Sequence, residues 1–198
     1  LDAVQRLKPA LNIVGLVGHA AVRYDVMGDR AIDHDAVPTD DEIRDIADRV
    51  RESVAAGAVG FSTSRLHGRA VPDGRQMPGT FARMPELRAI QQAVVEGGGK
   101  GAIFQFVPEI KSLGRTLVEV LNGAERGVLL DPNKTREFLV MKDAAEAGCH
   151  VMFSGGALPF GDGCVGIIED FLASAKADEQ KITTLVHSRP SGSLLGLA

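Results

Sequence analysis

The sequence has little cysteine, no long apolar run and no cluster of basic residues, and each absence excludes a class of protein. Its two cysteines, Cys149 and Cys164, form neither a disulfide framework nor a CxxC pattern for zinc. No apolar run approaches the roughly 20 residues needed to span a bilayer. The first residues also lack the basic and then apolar order of a secretory signal. We therefore expect a reducing, cytoplasmic setting and no membrane partner.

The charge balance excludes a further class of protein. The net charge is −4 and the charges of both signs are interspersed, so no basic surface for nucleic acid is predicted. With 198 residues, 44% of them hydrophobic, the chain can bury a sizeable core in a single domain. It starts at Leu1 rather than methionine and ends in a run of small and apolar residues. We expect both ends to be cuts through a longer protein.

Apolar runs alternate with segments of helical periodicity along the chain. Strands are predicted for the runs at residues 12–19, 58–62, 101–107, 149–154 and 181–187. Helices are predicted from a capping box at Thr39 and Glu42, from Pro85, and over residues 133–147 and 165–175. A short helix is predicted near residues 113–121, a polar loop is predicted after His19, and a long loop is predicted from Thr63 to Arg83.

This alternation predicts parallel βαβ units. Five such units fit either a doubly wound sheet or part of a (β/α)8 barrel. No glycine fingerprint for a nucleotide directly follows a predicted strand, and a complete barrel needs about 250 residues. We therefore predict an α/β fold in which residues 1–198 form a single, incomplete TIM-type barrel of about five βα units.

Polar residues follow each predicted strand, at the edge where parallel α/β folds carry their chemistry. We expect them to line a substrate pocket, although strand ends are polar in most proteins. The pocket candidates are His19, Arg23, Phe61, Ser62, Thr63, Gln105, His187 and Arg189. We read Ser62 and Thr63 as a hydrogen-bonding wall, and Arg65 as the start of a loop that covers substrate.

The remaining motifs do not complete an active site. His34 and His67 are predicted at the surface, and His150 at the opposite, structural rim. The sequence has no HxH, HExxH or GxSxG motif. A Ser-His-Asp triad stays open, because its order along the chain is not fixed.

Three long stretches carry a family resemblance. LVGHAAVRYDVMG, PTDDEIRDIADRVRESVAAGAVGFSTSR and PGTFARMPELRAI follow one another in this order. They resemble the N-acyl-D-amino-acid deacylase (D-aminoacylase) branch of the amidohydrolase superfamily. The later stretches GAIFQFVPE, CHVMFSGG and ITTLVHSRPSGSLLGL resemble a subgroup of that branch.

The resemblance implies a TIM-type barrel and zinc-dependent hydrolysis of the amide bond of N-acyl-D-amino acids. In that chemistry the metal activates a water molecule and an aspartate acts as general base. The family's HxH pair and cysteine would precede Leu1, and its aspartate would follow Ala198. Two further family histidines fall near Phe106 and Gly155, which cannot bind zinc. His187 is then the one candidate metal ligand, and zinc is expected in the parent protein rather than in this chain.

The leading hypothesis is a piece of a hydrolase that acts on a small N-acyl amino acid, with the isolated chain inactive. One alternative is a diverged, metal-free barrel enzyme that uses His19, His187 and the arginines. Another is a non-catalytic binding module that retains the fold. In each case the barrel edges near Asn12 and Lys181 would be unpaired, which predicts self-association.

Overall fold

The structure is a computed structural model that describes residues 6–7, 10–33, 35–66, 70–108, 136–154 and 162–185. Five strands form one parallel sheet, and their order across the sheet follows their order along the chain. The strands are β1 (Leu16–Gly18), β2 (Gly60–Ser64), β3 (Ile103–Val107), β4 (His150–Ser154) and β5 (Ile182–Leu185). The α/β alternation predicted from the sequence is confirmed.

Helices connect these strands. They are α1 (His19–Met27), α2 (Asp40–Ala55), α3 (Met84–Gly98), α4 (Arg136–Ala147) and α5 (Asp162–Ala177). A 3₁₀ turn at Gly28–Ile32 follows α1. Among the described helices, none combines the length and apolar character needed to cross a bilayer.

The predicted start signals of two helices are confirmed. Thr39 accepts a hydrogen bond from the amide of Glu42, and the Glu42 carboxylate accepts one from the amide of Thr39, which is the reciprocal capping box. Pro85 lies in the first turn of α3, where its missing amide costs no hydrogen bond.

The two faces of the sheet have different environments. Side chains such as Phe61, Phe104 and Phe153 point to one face, are buried and join one apolar cluster with all five helices. The alternating side chains, such as Ser62 and Gln105, are only half-buried. We call these the helix face and the open face of the sheet.

The strand order can be compared with the two predicted architectures for the described part of the chain. A doubly wound sheet reverses its strand order and carries helices on both faces. Here the order does not reverse, and the described helices pack on one face. The sheet therefore has the order of consecutive βα units.

Close packing of α2 on α3 depends on two glycines. A β-carbon at Gly97 would lie 2.5 Å from the Arg51 carbonyl oxygen, and one at Gly98 would lie 2.8 Å from Val54. Helix α3 ends at Gly98, and the two glycines allow the short distance between the two helices.

Two predictions about the start of the chain are wrong. The 12–19 run does not form one strand buried on both faces: pairing is confined to Leu16–Gly18, and Ile13 and Val14 are 56% and 69% exposed. The segment after Gly18 is helix α1 rather than a loop. Helix α1 was missed because no capping side chain marks its start. The helix predicted near residues 113–121 lies outside the described residues.

Candidate functional site at the carboxyl edge of the sheet

The structure separates the predicted pocket residues into two groups. His19, Arg23, Phe61 and Thr63 lie on the helix face and are buried, whereas Ser62 and Gln105 lie on the open face. The remaining two candidates, His187 and Arg189, lie outside the described residues. The assignment of all eight to a substrate pocket stays a prediction.

The buried group forms a hydrogen-bonded network around His19. The Nδ1 atom of His19 lies 2.8 Å from Thr63 Oγ1, and its Nε2 atom lies 2.9 Å from Glu86 Oε1. Arg23 brings its Nε atom to 3.2 Å from the same carboxylate oxygen. The four residues, which we call the His19 cluster, are each at most 4% exposed.

Three elements place these side chains together. His19 is the first residue of α1, and Arg23 follows about one turn later on the same helix. Thr63 points to the helix face of β2, while Glu86 lies in the first turn of α3. Negative charge is favoured at that position by the helix dipole. The cluster therefore ties the ends of β1 and β2 to the start of α3.

The loop before α3 closes over the cluster at Gly79. Its φ is +88°, a conformation that favours glycine, and a β-carbon there would lie 2.5 Å from His19 Nδ1. Phe61 contacts the imidazole from the sheet side, with 5.3 Å between ring centroids. His19 is thus enclosed from both sides.

Two atoms of the cluster are not fully paired. Among the described residues, the buried side-chain atoms without a hydrogen-bond partner are Arg23 Nε and Glu86 Oε2. Arg23 approaches Glu86 as an ion pair but its Nε–H is not aligned as a donor, and its Nη2 donates instead to the Ala36 carbonyl at 3.2 Å. The charges offset one another, which limits the cost of burying them.

The order hydroxyl, imidazole, carboxylate is also that of a nucleophilic triad. In the His19 cluster, however, the Thr63 hydroxyl is 3% exposed and both ring nitrogens of His19 are occupied. A nucleophile needs a place beside it for the reacting carbonyl carbon. We therefore assign this network to holding the strand ends, and the geometry does not favour the alternative in which His19 acts on a substrate.

A second buried ion pair fixes the loop after β2. Arg65 Nε donates to Glu137 Oε1 at 2.8 Å, and Arg65 Nη1 donates to the Ala82 carbonyl at 2.7 Å. One side chain thereby joins the start of α4 to both ends of the 65–83 loop. This contact fixes the loop that the sequence predicted as a cover.

Sequence reasoning missed Glu86 and Glu137. Both are acidic residues near helix starts, a pattern that usually indicates exposed side chains favoured by the helix dipole. Their partners His19 and Arg65 are 67 and 72 positions away along the chain. Only the packing of α3 and α4 on the sheet brings these charges together.

The open face carries the other predicted pair. Ser62 and Gln105 are opposite each other in the register of β2 and β3, and the Ser62 hydroxyl donates to Gln105 Oε1. Ser64 and Ser154 end their strands on the same face. Polar side chains therefore do gather at the carboxyl edge, but on the side opposite the His19 cluster.

The described residues at this edge supply no ligand set for zinc. Phe106, near a family histidine position, is fully buried on the helix face. Within the described ranges, no three histidine, cysteine or carboxylate side chains converge as metal ligands would. His187 and Gly155 lie outside those ranges.

Cys149 does not supply a nucleophile either. It is 2% exposed, and burial raises the pKa of its thiol to about 12. The reactive thiolate is therefore scarce near neutral pH. The thiol lies 3.6 Å from the Gln91 carbonyl oxygen, within the packing between α3 and β4.

Comparison with known proteins gives partial similarities. The chain is 31% identical over 96 residues to an N-acyl-D-glutamate deacylase of Alcaligenes xylosoxydans xylosoxydans, which is 48% of this chain and 17% of that protein. It is 30% identical over 116 residues to uncharacterized proteins of Mycobacterium tuberculosis and Mycobacterium bovis, which is 56% of this chain and 18% of those proteins. The chain thus spans under a fifth of the length of these relatives.

No family model matches the sequence, and no solved structure matches it. The similarity to the N-acyl-D-glutamate deacylase covers about half of the chain.

Proposed function

We propose that this chain belongs to a hydrolase of the amidohydrolase type that cleaves the amide bond of N-acyl-D-amino acids. The observation that carries the proposal is the 31% identity over 96 residues with an N-acyl-D-glutamate deacylase. The resemblance of the first half of the chain to the same branch, in three consecutive stretches, points in the same direction.

The fold supports this proposal in its topology. Five parallel strands in chain order, with helices on one face, are what consecutive units of a (β/α)8 barrel would supply. The open face would then be the inner face of the barrel. Its carboxyl edge, with Ser62, Ser64 and Ser154, would lie at the substrate end.

In this proposal the chain has two separate tasks. The open face binds part of the substrate through neutral hydrogen-bonding groups. The His19 cluster and the Arg65–Glu137 pair hold the strand ends and the 65–83 loop in place from the helix face. The zinc chemistry that the family resemblance implies has no ligand set among the described residues, so the reacting water is not assigned to them.

The test is amide hydrolysis by the full-length gene product that contains this sequence. The substrates are N-acetyl-D-glutamate, N-acetyl-D-leucine and the two L-enantiomers, and the readout is the free amino acid released over time. We expect release from at least one D-substrate and a rate at least tenfold lower from its L-enantiomer.

Hydrolysis confined to L-substrates, or no hydrolysis of any N-acyl amino acid, would overturn the proposal. An unreactive protein that still bound an N-acyl amino acid would support the binding-module alternative instead.

A further inference from the structure

The Ser62–Gln105 pair on the open face has hydrogen-bonding capacity that the residues described by the structure do not use. The geometry points to this pair as a subsite for the uncharged N-acyl group of the substrate, rather than for its carboxylate. The inference rests on the proposed function and assigns one part of the substrate to one part of the site.

The amide of Gln105 is oriented and has free donors. Its Oε1 accepts from the Ser62 hydroxyl, which fixes the direction of the side chain. The Nε2 hydrogens have no acceptor among the described residues. An amide N–H held in this way is suited to donate to the carbonyl oxygen of an N-acyl group.

The neighbours of the pair leave room on one side and give apolar contact on the other. Gly18 is opposite Ser62 in the register, and apart from its chain neighbours no described residue comes within 4 Å of the position of a β-carbon there. Met152 is opposite Gln105 on the other side. An acyl group whose carbonyl oxygen accepted from Gln105 would therefore have the apolar side chain of Met152 on the next strand.

The charge of this face selects against a carboxylate. From the level of Gly18 to the carboxyl edge, the side chains that the structure describes on the open face carry no formal charge. They are Ser62, Ser64, Gln105, Val107, Met152, Ser154, Thr183 and Leu185. A carboxylate taken out of water needs charged or multiple donors, whereas a neutral carbonyl needs one.

The nearby cations do not change this conclusion. Arg23 and Arg65 are buried on the helix face in ion pairs with Glu86 and Glu137. Neither guanidinium can reach a ligand on the open face without breaking its pair. The carboxylate of the substrate would therefore be bound by residues other than the uncharged open-face residues named above.

The test is saturation-transfer NMR on the full-length gene product, with N-acetyl-D-glutamate and D-glutamate as probes. We expect the strongest transfer to the acetyl methyl protons and at least tenfold weaker binding of D-glutamate. Gln105→Glu keeps the acceptor for Ser62 but removes the donor, and should weaken N-acetyl-D-glutamate binding at least tenfold. Gln105→Met keeps the length without a charge, and should weaken it about three- to tenfold.

Gln92→Glu is the matched control, because it makes the same change at an exposed position on α3, on the other side of the sheet. It should leave the affinity unchanged. Unchanged affinity in both folded Gln105 variants, or D-glutamate bound as tightly as its N-acetyl derivative, would overturn the inference. Because the readout is binding, a protein without deacylase activity that still shows the Gln105 dependence would contradict only the proposed function.

Discussion

At the scale of single residues, the most informative feature is a histidine with both nitrogens committed. His19 bonds Thr63 and Glu86 from the helix face, so it joins three elements instead of facing a substrate. An unsatisfied polar atom in such a place costs more than the bond itself contributes. The energetic role of His19 can therefore be tested by removing one partner at a time.

Thr63→Val removes the hydroxyl and keeps the shape of the side chain. It would leave His19 Nδ1 buried without a partner, and we expect a loss of about 1–3 kcal/mol in the free energy of unfolding. Thr184→Val is the control, since its half-buried hydroxyl makes only a 3.4 Å contact with the Phe153 carbonyl. Chemical denaturation of both variants measures the difference, and equal losses would contradict the role given to the His19 cluster.

Gly79 and Gly74 offer a matched pair for the loop before α3. Both have positive φ, +88° and +90°, but Gly79 lies against His19, whereas no described residue other than its chain neighbours is within 4 Å of a β-carbon at Gly74. Gly74→Ala should cost about 1–2 kcal/mol for the backbone conformation alone. Gly79→Ala should cost about 1–3 kcal/mol more because of the contact with the imidazole. Thermal unfolding of the two variants in parallel measures both losses of stability. Equal losses would contradict a close contact between the loop and His19.

The sequence located His19, Thr63 and Gln105 at strand ends but not the faces to which they point. Face is set by the register of the whole sheet, because side chains alternate along a strand. A shift of one residue in β2 would exchange Ser62 and Thr63. The roles of Glu86 and Glu137 as buried partners could not be predicted for a related reason. Both side chains are buried by long-range packing, which no local sequence pattern indicates.

At the scale of elements, the capping box of α2 combines a structural and an ionic contribution. The backbone hydrogen bond from Thr39 is the largest cause that lowers the pKa of Glu42, and Arg30 adds to it. A lowered carboxyl pKa stabilises the folded state above the unfolded-state pKa. That stability is lost as pH falls through the folded-state pKa.

Glu42→Gln should therefore be less stable than the wild type near neutral pH. The difference should shrink as the pH falls below the ordinary range of a glutamate, where the wild type loses its charge. Thr39→Ser keeps both hydrogen bonds and should follow the wild type throughout. Urea unfolding at several pH values measures this, and a constant difference across the acid range would contradict the assignment.

Elements with local signals were predicted well, and α1 was not. The capping box and Pro85 mark helix starts through chemistry carried by a few neighbouring residues. Helix α1 begins at His19, directly after β1, and the preceding Gly18 contributes no side-chain cap. Its stability comes from the buried contacts of Val22 and Met27 with the core, which only the fold supplies.

At the scale of the whole molecule, the described sheet has two edge strands, β1 and β5. The segment leading into β1 carries exposed apolar side chains, with Leu11 79% and Val14 69% exposed. Exposed edges of this kind template pairing with another strand. The order of the strands could be predicted from the chain, but what lies beyond either edge could not, because that depends on residues outside the described sheet.

We expect the 198-residue chain to self-associate through the β1 edge. Ile13→Lys places a charge at that edge and should shift the chain toward monomer, raising the dissociation constant at least tenfold. Val37→Lys is the control, an exposed apolar position in the loop before α2. Sedimentation velocity over a range of concentrations gives the result, and a wild-type chain that stays monomeric would contradict the prediction.

The central claim is that this chain is part of an enzyme that deacylates N-acyl-D-amino acids. Its most direct test is the release of D-glutamate from N-acetyl-D-glutamate, followed in parallel for the full-length gene product and the 198-residue chain. The account predicts steady release by the full-length product, a rate at least tenfold lower with the L-enantiomer, and no release by the isolated chain. The central claim would be contradicted if the full-length product released no glutamate from either enantiomer of the substrate, or if the isolated chain hydrolysed the substrate on its own.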